Sequence, residues 1–232
     1  MIPFDPQKQI LYEDNHIIVV NKLPSQIVQG DKTGDEPLSE SLKRYLKEKY
    51  SKPGNVFLGV VHRLDRPVSG LVIFSRTSKA LARLNQQIAG KEIKKTYWAV
   101  VKNRPGDESG RLVHLLLKDE KKNKSFVVNK PRKDAKKAIL DYQLAGASDQ
   151  YYLLEILLQT GRHHQIRVQL AQMGCPIKGD LKYGYPRSNE TPFIHLHARK
   201  LEFIHPVTKV PMSFVGDPPR DPLWDHFASL IA

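Results

Sequence analysis

Short apolar runs separated by turn residues constrain this chain more than any other feature. HIIVVNK (16–22), VFLGVV (56–61), GLVIFSR (70–76) and KTYWAVV (95–101) have the β-branched and aromatic composition of strands. So do YYLLEILLQT (151–160), FIHLHARKLEFIHP (193–206) and KVPMSFV (209–215), the last two joined by the turn HPVT. Helical spacing is rarer. Leu38, Leu42, Tyr45 and Leu46 share one face of a helix over 37–49, stopped by Pro53-Gly54. Thr77 suits the N-cap of a helix carrying Leu81, Leu84 and Ile88 and ending at Gly90. HHQIRVQLAQMG places Ile166, Leu170 and Met173 at helical spacing, and DPLWDHFASLIA suits a short terminal helix. Many strands, few helices and several hairpin-like turns predict an α+β fold, a mixed, mainly antiparallel β-sheet with flanking helices. A doubly wound sheet is not expected, and no Gly-rich phosphate loop supports a nucleotide cofactor.

At 232 residues the chain can form one domain spanning 1–232, or two tightly joined halves. No apolar run reaches the ~18 residues of a membrane helix, and the opening MIPFDPQKQI lacks a secretory pattern, so a cytoplasmic protein is expected. The single cysteine, Cys175, excludes an internal disulfide and reads as a small buried hydrophobe. Thirty-seven Lys and Arg against 24 Asp and Glu give a net charge of +13, which attracts polyanions. The excess concentrates in KDEKKNKSFVVNKPRKDAKK (118–137), readable as a solvated charged loop or β-ribbon or as a phosphate-contacting segment. Charge alone does not separate RNA from DNA, or a binding module from an enzyme.

HRLDRPVSG (62–70) sets one carboxylate, Asp65, between Arg63 and Arg66. A nearby arginine keeps such a group ionised, suited to act as a nucleophile or base, although an Arg–Asp pair tying a loop to a sheet is the plainer reading. A glycosidase needs a second facing carboxylate, and neither Glu155 nor Asp180 is evidently paired with Asp65. Ser69 lies outside a G-x-S-x-G elbow. His195 and His197 alternate on a strand and His163 adjoins His164, yet without CxxC or HExxH no metal is expected.

HRLDRPVSGLVIFSRT, KKTYWAVV and QTGRHHQIRVQLAQMGCPIKGDLKYG, in that order, resemble the RluA-type family of RNA pseudouridine synthases, with IIVVNKLPSQIV resembling that family's first motif. The resemblance spans most of the chain and implies the pseudouridine synthase catalytic fold. It implies that Asp65 is the catalytic aspartate, acting on a uridine so that the base detaches from C1′, rotates and rejoins through C5. It implies that Arg167 pairs with that aspartate, that Tyr97 stacks on the target base, and that Arg63 fills the RNA helix where the base has left. Arg66, Lys22, Arg162 and His163, with Lys121, Lys122 and Lys124 of the basic stretch, complete the expected RNA-contacting set. Ribosomal RNA is the favoured partner and transfer RNA the alternative, with no cofactor and a monomer expected; the rival class is a non-catalytic RNA-binding module of the same fold. NKLPSQ departs from the usual NKPxG by an extra leucine and by Ser25 where glycine is expected, and His163 replaces a usual threonine. Relatives often carry an N-terminal S4 RNA-binding domain; none is recognisable here, so target selection is expected to rest on the catalytic domain.

Overall fold

The computed structural model describes residues 2–31, 33–191 and 193–231. The chain forms two compact units: residues 1–93 with 198–219, and residues 94–197 with 220–232. In chain order the first unit takes α1 (Pro6–Gln9), β1 (Ile10–Glu13), β2 (Ile17–Lys22), α2 (Leu38–Lys49), β3 (Gly59–Val60), β4 (Ser69–Ser75) and α3 (Ser78–Ala89). The second takes β5 (Lys94–Val101), β6 (Ser109–Asp119), β7 (Lys124–Val128), β8 (Lys136–Ala147), β9 (Tyr152–Leu158) and α4 (Gln165–Gln172). Then β10 (Leu196–Ile204), from Ala198 onward, and β11 (Pro211–Val215) complete the first unit, and α5 (Pro222–Ile231) the second.

In the first unit the strand order is β1-β2-β4-β10, with β3 on β4 and β11 on β10. The pairs β1/β2, β2/β4, β3/β4 and β10/β11 are antiparallel. Ile17 to Val20 of β2 and all of β4 are buried. Strands covered on both faces lose the polar alternation of a half-exposed strand, which explains the continuous runs IIVV and LVIF. Leu84 of α3 joins Ile17, Val19, Leu71, Ile73, Leu201 and Phe203 in one cluster. Thr77 Oγ1 accepts from the Ala80 N–H at 3.1 Å, the cap the sequence predicts, and Leu38, Leu42 and Leu46 are the buried stripe of α2. VFLGVV pairs over Gly59–Val60 alone, a shorter strand than expected, and α2 ends at Lys49, before Pro53.

The second unit is an antiparallel sheet in the order β5-β9-β8-β6-β7. On one face α4 packs through Val168 onto Leu116 and Ala138, together with Tyr183. Toward β5 and β9, Trp224 and Phe227 of α5 pack with Trp98, Val100 and Leu153. The basic stretch is a β-ribbon: it covers the end of β6, the turn, β7 and the start of β8.

Candidate active site

Asp65 lies half-buried on the loop between β3 and β4, and backbone contacts fix that loop. The Val68 N–H donates to Asp65 O at 3.1 Å, and Ser25 N–H donates to Arg66 O at 2.9 Å. Gly70 closes the loop at φ +115°, where a Cβ would sit 2.4 Å from the Ala198 backbone nitrogen. A glycine is therefore required at this position by the close passage of β10. Ser25, at the position where glycine is expected, has φ 69°, the left-handed conformation that glycine adopts without strain.

Lys22, the last residue of β2, is 0 % exposed. Its ammonium donates to the carbonyls of Leu23 (3.0 Å), Gln26 (2.9 Å) and Arg66 (3.3 Å). Burial lowers its pKa to about 7; the charge of Asp65 opposes that lowering and Arg66 adds to it. Lys22 therefore cannot meet a phosphate, which corrects its place in the RNA-contacting set: it is an internal cation that ties the first motif to the Asp65 loop. Arg66 turns toward an acidic segment, donating to Asp35 and to Thr33 Oγ1, with Asp31 at 3.9 Å. Arg63 is exposed and projects from the same loop.

In the second unit Tyr97 lies on β5 opposite Ile156 and is buried. Strand alternation puts Lys95 on the same face, its Nζ beside Gly161 of the TGR segment, with burial lowering its pKa. Arg167 projects from α4 and is buried. Its Nε donates to Asp180 Oδ2 at 2.7 Å and its Nη2 to Asp180 Oδ1 at 2.8 Å, a fork that only arginine can make. Its guanidinium carbon lies 5.1 Å from the ring centre of Tyr183.

Tyr183 joins this arginine to the basic ribbon. Its hydroxyl accepts the Ser125 N–H at 2.8 Å and hydrogen-bonds His164 Nδ1 at 2.9 Å, while the Lys124 ammonium lies 5.0 Å from its ring centre. His163 stacks on His164 at 3.8 Å; one ring nitrogen meets Ser125 Oγ at 2.9 Å and the other Asn123 Oδ1 at 3.1 Å. With both nitrogens so engaged, His163, half-buried, braces the ribbon turn. Lys121 and Lys122 are exposed on that turn and Lys124 is half-buried beside it. Arg162 is exposed, although its Nε donates to Lys137 O at 3.0 Å.

Asp180 and Tyr183 were not selected by sequence reasoning. The signal is the two glycines of GDLKYG: Gly179 has φ +83° and Gly184 φ +96°. At Gly179 a Cβ would meet Asn189 Nδ2 at 2.5 Å and Phe193 O at 2.9 Å, so the residue before Asp180 has no room for a side chain. Of the flagged histidines, His195 is bonded to Asp221 Oδ1 (3.1 Å) and Asn189 Nδ2 (3.2 Å). Among the described residues no three His, Cys, Asp or Glu side chains converge as a metal site would require, and no helix is long and apolar enough to cross a membrane.

Residues 16–172 match the family model described as RNA pseudouridylate synthase. The chain belongs to the RNA pseudouridine synthase family. The "Ribosomal large subunit pseudouridine synthase D" of Zymomonas mobilis is 31% identical over 94% of this chain and 72% of its own length. The "Dual-specificity RNA pseudouridine synthase RluA" of Haemophilus influenzae is likewise 31% identical, over 91% of this chain and 94% of its own. The fold agrees: "Human RNA Pseudouridylate Synthase Domain Containing 4", 22% identical, superposes with a TM-score of 0.78 over 97% of this chain and 93% of its own. As a member of this family the chain is an isomerase that acts on RNA.

Proposed function

We propose that this synthase converts uridine to pseudouridine in structured ribosomal RNA, with Asp65 as the catalytic carboxylate. The observation that carries the reading is the Asp65 loop: a half-exposed carboxylate on a backbone held by a buried lysine and by a glycine that admits no side chain. Asp65 acts on the bound uridine; the C1′–N1 bond breaks, the freed uracil turns, and C1′–C5 forms. The C5 proton is lost and N1 gains one, so the product is an isomer and no co-reactant is consumed. Arg167 is the second member of the catalytic set, its guanidinium held by the Asp180 fork. Tyr97 supplies a stacking plane for a base taken out of its helix at a cost of a few kcal/mol. Arg63 occupies the vacated position, and Arg66, Arg162, Lys121, Lys122 and Lys124 contact phosphates.

Ribosomal RNA is favoured over transfer RNA because the Zymomonas relative is named for the large ribosomal subunit. We place the activity in the cytoplasm, carried out by a monomer. The test is to incubate the protein with unmodified ribosomal and transfer RNA transcripts, map pseudouridine, and repeat with Asp65→Ala. A site made by the wild type and lost in the variant, with RNA affinity kept within a few-fold, is the expected result. Equal modification by both removes Asp65 from the reaction, and tight binding without modification by either favours a non-catalytic RNA-binding module.

A further inference from the structure

A guanidinium has a limited number of edges, and in Arg167 one of them is fully committed. Asp180 takes Nε and Nη2 through both carboxylate oxygens at 2.7 and 2.8 Å, and the two side chains are 6 % and 1 % exposed. Such a pair fixes the plane of the guanidinium as well as its position, because two parallel bonds leave no rotation about either. The Tyr183 ring lies beside the same guanidinium. Asp180 is itself immobilised. Its backbone N–H donates to Ile177 O at 3.0 Å, and its carbonyl accepts the N–H groups of Tyr183 (3.1 Å) and Tyr185 (3.0 Å). Gly179, before it, is pressed against Asn189. Asn189 is held in turn by Lys178 Nζ at 2.6 Å and by Phe193 O at 2.7 Å. A carboxylate anchored from this many sides is a rigid template for a neighbouring fork.

We infer that Asp180 is a positioning residue for the isomerisation: it fixes the place and plane of the Arg167 guanidinium, and through it the part Arg167 plays in the reaction. The inference rests on the catalytic role proposed above for Arg167. Asp180 touches neither substrate nor reacting atoms; it acts through Arg167 alone. That dependence makes it testable, because its removal matters only while Arg167 is present.

Single-turnover rates are compared for wild type, Asp180→Asn, Arg167→Met and the double variant, with RNA affinity measured in parallel. Asp180→Asn is expected to slow the chemical step by about 10²-fold, the scale of an ångström misplacement, with RNA affinity within two-fold. In the Arg167→Met background the same change is expected to alter the rate by less than two-fold. A merely structural Asp180 would instead slow both backgrounds equally, and that result overturns the assignment. Should Asp180→Asn fail to fold, Arg167→Lys replaces it, retaining the charge and losing the fork: a rate near that of Arg167→Met supports positioning, and a rate near wild type overturns it. A slow Arg167→Met beside a normal Asp180→Asn removes Asp180 and leaves the role of Arg167 standing. An Arg167→Met variant as fast as wild type removes both.

Discussion

The two compact units hold their proposed catalytic residues by different means. In the first unit Asp65 sits on a loop fixed by main-chain contacts: a buried ammonium binds three carbonyls, two N–H groups clasp the loop, and Gly70 lets a neighbouring strand pass. In the second unit Arg167 is fixed by side chains: a carboxylate fork, an aromatic ring, and two histidines leading to the basic ribbon. A main-chain frame tolerates changes in side chains that point outward and is intolerant where a Cβ would strike backbone. A side-chain frame fails one interaction at a time, and each failure is open to replacement.

That contrast breaks most visibly at Gly70. Gly70→Ala drives a Cβ into the Ala198 backbone at a φ unfavourable to L residues. It is expected to cost about 3 kcal/mol or more, measured by urea denaturation. A cost below 1 kcal/mol would mean that β10 yields, and that the loop frame is soft.

Lys22 sharpens the comparison through pH. Its folded pKa of about 7 lies below the ordinary lysine value of 10.5, so between those limits the unfolded chain binds more protons and stability rises with pH. Below pH 7 both states are charged and this contribution is flat. Lys22→Met should abolish the rise between pH 7 and 10 while lowering activity, because Arg66 O loses its ammonium donor. A rise that persists in the variant belongs to other groups.

The smallest effect is at Ser25. Ser25→Gly releases the left-handed strain at φ 69° but adds freedom to the unfolded chain, for a net gain of under about 1 kcal/mol in thermal or urea melts. A loss would show that the serine side chain contributes more than its backbone costs.

Much of this was legible in the sequence, for physical reasons. Runs such as GLVIFSR announce strands because both their faces are covered, and Thr77 announces a helix because a hydroxyl there has an N–H to accept. The strands β6 and β8 were not anticipated. RLVHLLLKD is half-exposed along most of its length, and KKAILDYQLAGA starts inside the charged stretch, so neither presents a clean periodicity. Lys22 was misread because a lysine is almost never fully buried, and what reverses the rule is three carbonyls brought together by the turn that follows it. The Arg167–Asp180 fork spans thirteen residues and a loop, so composition says nothing of it. The resemblance to a known family pointed to Arg167, and only the coordinates joined it to Asp180.

Cys175 gives the second unit a clock of its own. The thiol is 2 % exposed, burial pushes its pKa up, and its backbone N–H closes the end of α4 by donating to Leu170 O at 2.9 Å. As the one cysteine in the chain it can react with an alkylating reagent only when the segment between Arg167 and Asp180 opens. The rate of that reaction reads the opening frequency of the arginine's support, free of any signal from the loop that carries Asp65.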